Sequence, residues 1–211
     1  AGTLDPFASG LLVVCIGRPA TKLIGELMDG DKTYQATVVL GKNSTTQDPE
    51  GEISDGGPVD GIDQDIIEAA LTGFRGRILQ TPPHFSALKH KGKPLYHYAR
   101  RGIKINKEPR EVTIHELELA KLNLTVSDHS DPSMELLVRC SKGTYIRSLA
   151  EDIGRSLGCG AYLSDLRRTR SGCFSVEDCI PGGCLDDHEK TQWVRERRIE
   201  VEEVQKLLHS S

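Results

Sequence analysis

Apolar residues recur along this chain in two periods, and the switches between them outline its elements. Residues 11–16 form a short continuous apolar run between Gly10 and Gly17, which predicts a buried strand. Thr21 is placed to cap a brief helix carrying Leu23, Ile24, Leu27 and Met28. Lys32 to Leu40 then alternates, with Tyr34, Ala36, Val38 and Leu40 on one face, so it reads as a strand. A polar stretch rich in Gly, Asp and Thr fills 41–62. Asp65 and Glu68 have capping-box spacing, and Ile66, Ile67, Ala70, Leu71 and Phe74 follow at helical intervals. Pro82 and Pro83 stop the next strand, and Pro94 opens a short helix reaching Arg101.

Residues 112–124 and 134–140 read as an antiparallel pair joined by a polar turn containing Pro132. Tyr145, Leu149, Ile153 and Leu157 recur every four residues, and Gly158 falls where such a helix would stop. One or two strands over 161–176 and a short helix over 201–208 complete the pattern. Strands and helices mix without strict βαβ alternation, which predicts an α+β fold around a mixed, mostly antiparallel sheet with flanking helices.

Composition narrows the class. With 211 residues, 37% hydrophobic and 27% charged, the chain suits one large globular domain with a short appendage. No apolar run approaches the ~20 residues of a membrane helix. The net charge of −4 argues against indiscriminate nucleic-acid binding, but the charges are segregated. Residues 48–68 hold eight acids and no Lys or Arg, whereas 86–110 hold eight basic residues against Glu108 alone. Such a basic face is either a solvated surface or a phosphate-binding one. Six cysteines without a small disulfide scaffold suggest a reducing intracellular compartment, cytoplasm or organelle. Cys173, Cys179, Cys184 and His188 could in principle close a tetrahedral zinc site, but their gaps are loose and no zinc is expected. The chain opens on Ala1, without Met, inside what reads as a structured loop, so a preceding segment is expected to be missing.

Candidate chemistry is sparse. Asp29 and Asp31 start like a calcium loop, but Tyr34 occupies the Gly position and Leu40 the Glu position. CSKGTYIRS lacks the order of a phosphate loop. In GTLDPFASGLL, Pro6 fixes its own φ and pushes Asp5 toward extended backbone, leaving a carboxylate that could be a turn residue, an N-cap or an aimed catalytic group. Further on, RCSKG runs into a helix through Tyr145 and Arg147. Either these project into a cleft, where a buried guanidinium needs a carboxylate such as Asp5, or Tyr145 packs in the core and Arg147 lies on the surface.

Five stretches share an order with one known family: AGTLDPFASGLLVVCIGRPATK, DKTYQATVVLGKNSTTQDPEG, PPHFSALKHKGKPLYHYARRG, VRCSKGTYIRSLAEDIGRSLGCGAYLSDLRR and SGCFSVED. They span residues 1 to about 178, and through them the chain resembles the catalytic domain of the TruB family of tRNA pseudouridine synthases. The resemblance implies the pseudouridine-synthase fold with a central active-site cleft over 1–178, and a tail, 179–211, too short and acidic for an RNA-binding PUA domain. Asp5 corresponds to the catalytic aspartate, Tyr34 to the active-site tyrosine, Tyr145 and Arg147 to the KGTYIR pair, and Leu166 to the leucine whose backbone contacts the base. Residues 84–107 match a mobile thumb that clamps RNA, so Lys89, Lys91, Lys93, Arg100 and Arg101, with Lys142, are expected to bind phosphates.

The implied reaction is isomerisation of a T-loop uridine in tRNA after base flipping. It needs no metal, nucleotide or redox cofactor, and the partner is the tRNA T-arm. Neither a membrane nor an obligate protein partner is expected, and the chain reads as a monomer. Pairing with Arg147 would lower the Asp5 pKa. The family's His ahead of the aspartate, and its opening strand, would precede Ala1. The chain from Ala1 is therefore expected to bind tRNA weakly and to turn over at least ~100-fold more slowly than one with that segment. The alternative reading is an impaired tRNA-binding or tRNA-folding protein of the same fold.

Overall fold

A computed structural model describes residues 1–211 except 104, 106, 126–130, 186–187 and 210–211, with backbone alone at 188. In chain order the elements are β1 (Ser9–Gly10), α1 (Gly17–Thr21), α2 (Ile24–Asp29), β2 (Lys32–Leu40), β3 (Lys42–Ser44), β4 (Ile53–Asp55), α3 (Gln64–Thr72), β5 (Gly76–Gln80), β6 (Lys89–His90), β7 (Lys93–Pro94), α4 (Leu95–Ala99), β8 (Arg110–Asn123), β9 (Ser133–Cys140), α5 (Ile146–Leu157), β10 (Ala161–Ser171), β11 (Phe174–Ser175), α6 (Thr191–Glu196) and α7 (Val201–His209).

The main sheet has the order β1-β10-β2-β9-β8-β5, with β11 folding back on β10. Every pairing is antiparallel except β1 with β10, so the sheet is mixed and mostly antiparallel, as the lack of βαβ alternation implies. Alternation in β2 buries Tyr34, Ala36, Val38 and Leu40 against the face that also receives Leu136 and Val138 of β9 and Leu163 and Leu166 of β10. α5 closes that face with Ile146, Leu149, Ala150 and Ile153, and α3 adds Ile67 and Leu71. Gly154 lets α5 settle on β10, since a Cβ there would lie 2.3 Å from the Ala161 nitrogen. The helix stops where expected, at Gly158, whose φ of 77° is left-handed.

Several sequence expectations need correction. Residues 11–16 do not form a strand: pairing ends at Gly10, and of the run only Leu11 is buried. Leu12, Val14 and Ile16 face solvent because no described strand lies beside them. A continuous apolar run carries no alternation to say which side is covered. Thr21 caps nothing: its hydroxyl donates back to Arg18 O inside α1, and the N-cap position of α2 is Leu23, which offers no side-chain cap. The cap of α3 is Asp63, two residues before the expected one, with Oδ1 accepting from Ile66 N at 2.9 Å. Glu68 instead meets Arg75 at 3.1 Å. The stretch 41–62 is not all loop, since β3 and β4 pair as a small hairpin within it.

β8 and β9 pair as expected, although much of the turn between them lies outside the described residues. After β11 the chain continues through short helices to α7 without a fully buried side chain in α6 or α7. No described helix is long and apolar enough to cross a membrane.

Candidate active site

Asp5 opens a turn. Its carbonyl accepts from Ala8 N at 2.9 Å with Pro6 at the second position, where the fixed φ of proline suits the turn. The backbone is thus committed to the turn while the carboxylate remains free, so turn residue and aimed group are compatible here. Past the turn, β1 pairs Gly10 with Arg168. Gly10 has φ +99° and a Cβ would sit 2.2 Å from Arg168 O, so only glycine lets the loop approach the sheet this closely.

Arg147, in the first turn of α5, is 4% exposed and collects acceptors from three distant segments. Nη2 donates to Asp5 Oδ1 at 3.0 Å and to Phe85 O at 2.8 Å, and Nη1 donates to Thr46 O and Asp48 Oδ2, both at 3.0 Å. Nε lies 2.8 Å from Asp5 Oδ2, close enough for ion pairing without hydrogen-bond alignment. Of the two open readings of Arg147, the buried one therefore holds, and its carboxylate is Asp5.

A second carboxylate shares the guanidinium. Asp48 is 2% exposed, and its Oδ1 accepts from the Thr46 hydroxyl and from Glu50 N. Sequence reading counted Asp48 only among the eight acids of 48–68 and missed it as a site residue. The turn presenting it is built around Gln47, whose φ of 67° is left-handed. The Gln47 side chain donates to Glu151 at 2.7 Å and accepts from the Ser148 hydroxyl, tying the turn to α5 next to Arg147. A cavity of about 350 Å³ lies beside this junction, lined in part by Thr46, Gln47, Pro83, Phe85 and Ser148.

Tyr145 precedes α5, and its backbone is clasped by a second residue that sequence did not flag. Gln80, 1% exposed, accepts from Tyr145 N at 2.8 Å and donates to Tyr145 O at 3.0 Å. Burial pushes the Tyr145 hydroxyl up from its ordinary value. Tyr34 on β2 is 9% exposed, and burial pushes its hydroxyl up to about 12 against the opposing charge of Arg168. Leu166 lies on β10 opposite Ala36 and is buried.

The expected fall in the Asp5 pKa does not occur. Burial raises it above its ordinary 3.8, outweighing the Arg147 charge and hydrogen bond, and Asp48 adds in the raising direction. Arg147 is already engaged by Asp48, which limits what it can offer a second acid.

The basic residues sit on a projection. β6 and β7 form a two-residue hairpin with Lys91 and Gly92 at its tip, both at positive φ (48° and 80°), as tight primed turns demand. Lys89, Lys91, Lys93, Arg100 and Arg101 are all exposed, and none forms an ion pair among the described residues. Lys104, part of the same basic run, lies outside them. Lys142 differs: its Nζ meets Asp29 at 2.7 Å in an exposed pair, which contributes little and leaves the lysine exchangeable toward a phosphate. Among the described residues no group of three or more His, Cys, Asp or Glu side chains is arranged to hold a metal ion, and the side chain of His188, one of the four candidate ligands, lies outside them.

Known proteins resemble the chain along its whole length. The family profile described as TruB family pseudouridylate synthase (N terminal domain) matches residues 1–146, and that of the tRNA pseudouridylate synthase B C-terminal domain matches 147–209. The tRNA pseudouridine synthase B of Desulfotalea psychrophila is 52% identical over 208 residues, covering 99% of this chain and 84% of that protein. The one from Burkholderia lata is 48% identical over 197 residues, 92% of this chain and 58% of that protein. Several such relatives are thus spanned for little more than half their length. In a solved Cbf5-Nop10-Gar1 complex one chain superposes with a TM-score of 0.68 at 28% identity, over 98% of this chain and 52% of that one.

Proposed function

The chain belongs to the TruB family of pseudouridylate synthases, and from that premise we propose that it isomerises a T-loop uridine of tRNA, with Asp5 as the attacking carboxylate. The observation that carries the reading is the aimed Asp5–Arg147 pair at a buried junction. Asp5 starts cleavage of the bond between ribose C1′ and uracil N1, and its direct attack at C1′ would leave the sugar esterified while uracil departs with the bonding pair. After the base turns, C5 joins C1′ and the carboxylate leaves. The proton lost from C5 is matched by one gained at N1, so no atom is added or removed.

Tyr34 would stack its ring on the flipped uracil, replacing stacking lost from the RNA, and hold it beside Leu166. Tyr145 would bound the other side of the cleft. The T-arm is the proposed partner, bound by a monomer. The test is tritium release from C5-labelled tRNA, with pseudouridine mapping in tRNA from cells lacking the protein. Retention of tritium and an unaltered modification map would overturn the reading.

Attack requires an ionised carboxylate, so the raised Asp5 pKa sets a pH dependence. The acid limb of kcat/KM is expected at higher pH than an ordinary exposed Asp would give, because burial holds Asp5 protonated where such an Asp is already charged. Asp48→Asn removes one raising charge and should move that limb to lower pH. A limb that stays fixed would exclude coupling between the two acids. The same sign governs stability: with its folded pKa raised, Asp5 favours the fold below pH 3.8 and loses that contribution as pH climbs through the folded value.

The hairpin is the proposed phosphate clamp. Replacing Lys89, Lys91 and Lys93 with Gln should weaken tRNA binding and flatten the log–log salt dependence by ~2–3 units. An unchanged slope would make these lysines a solvated surface only.

A further inference from the structure

Among the described residues Arg168 is the largest fully buried side chain, 2% exposed, and it forms no ion pair with an acid there. An unneutralised buried cation is costly, and a well-packed apolar residue of similar size would ordinarily serve packing as well or better. Its hydrogen bonds indicate what the charge does instead. Nε donates to Leu11 O at 2.8 Å and Nη2 to Gly2 O at 2.9 Å. These carbonyls bracket the loop that carries Asp5, one on each side of it. Arg168 O meanwhile accepts from Leu11 N at 2.8 Å, so both polar groups of Leu11 are held by one residue. Arg168 is also the register partner of Tyr34 across the β10–β2 pairing.

We propose that Arg168 is the positioning residue of this site: its guanidinium ties both ends of the Asp5 loop to each other and to the strand position opposite Tyr34, fixing the carboxylate relative to the ring that receives the base. The inference rests on Asp5 being the reacting group. A planar fork suits this task because its donors leave in fixed directions, whereas an ammonium offers one compact point of attachment. Arg147 meets the carboxylate itself, while Arg168 holds the backbone from which the carboxylate projects. Small errors in that backbone are amplified, since a misplacement of about 1 Å can cost ~100-fold in rate.

The experiment compares Arg168→Met and Arg168→Lys with wild type and Asp5→Asn, measuring kcat and KM by tritium release, tRNA affinity, and thermal melting. Arg168→Met should lose at least ~100-fold in kcat while tRNA affinity stays within about three-fold and melting changes far less than activity. Arg168→Lys, which can satisfy one carbonyl but not the fork, should fall between Met and wild type. If Arg168→Met does not fold, Arg168→Lys carries the test, with at least ~10-fold lost from kcat at unchanged affinity. Wild-type kcat in both variants, or kcat and affinity declining together in step with melting, would overturn the proposal. Turnover by Asp5→Asn within ~10⁴-fold of wild type would instead overturn the reading beneath it, whatever the Arg168 variants do.

Discussion

Asp5→Asn is expected to lower turnover on tRNA by at least ~10⁴-fold, the scale seen when a nucleophile is removed from an otherwise intact site. The amide keeps the shape of the side chain and its place in the turn, so loss of activity would report on chemistry. tRNA affinity should stay within a few-fold, because the phosphate contacts are proposed to come from the β6–β7 hairpin and Lys142. Stability should not fall. Arg147 keeps its buried partner Asp48, and the replaced acid is one whose ionised form burial disfavours. Tritium release, filter binding and thermal melting check the three parts, and a loss of turnover well short of ~10⁴-fold would sink the assignment of Asp5.

Arg147→Met should have the largest effect on stability. It leaves Asp48, 2% exposed, as a buried carboxylate without its cation, while the carbonyls of Thr46 and Phe85 lose a donor. Breaking a buried pair from one side costs about 3–5 kcal/mol. At ~2–4 °C per kcal/mol for a domain of this size, the melting temperature should drop by roughly 6–20 °C. Turnover should collapse as well, since Asp5 loses the group that aims it. Adding Asp48→Asn to Arg147→Met should restore part of the stability and none of the activity, because the two side chains act as one unit. A melting temperature unchanged by Arg147→Met would mean that water or a neighbouring group already neutralises Asp48.

Much of this was legible in the linear chain. Strict alternation in β2 identified the buried face of the central strand, and the four-residue recurrence ending at Gly158 identified α5. Asp5, Tyr34, Tyr145 and Arg147 stood out through their motifs, and the structure gathers Asp5 and Arg147 from positions 142 residues apart. Asp48 and Gln80 escaped notice because nothing local marks them. One is an acid among acids, the other a glutamine at the end of a strand, and only burial beside α5 distinguishes them. The direction of the Asp5 pKa was misjudged for the same reason: a charge partner can be guessed from residue types, whereas desolvation depends on the whole surrounding fold. Residues 11–16 failed differently, since β-favouring composition does not form a strand without a neighbour to pair with.

The parallel pairing of β1 with β10 has a consequence for how the protein comes into being. Gly10 meets Arg168, Asp5 meets Arg147 and Gly2 meets Arg168, so the site consists of contacts between the two ends of a long stretch of chain. Such contacts require the largest loop closures, which places them late in folding. During synthesis at ~5–20 residues per second, the Asp5 segment leaves the ribosome on the order of ten seconds before either arginine exists. Through that interval the hairpins and the β8–β9 pair can form, but the carboxylate has nothing to aim it. Catalytic competence should therefore appear last in refolding, after the bulk of the secondary structure has returned, and no nascent fragment ending before residue 147 should modify RNA.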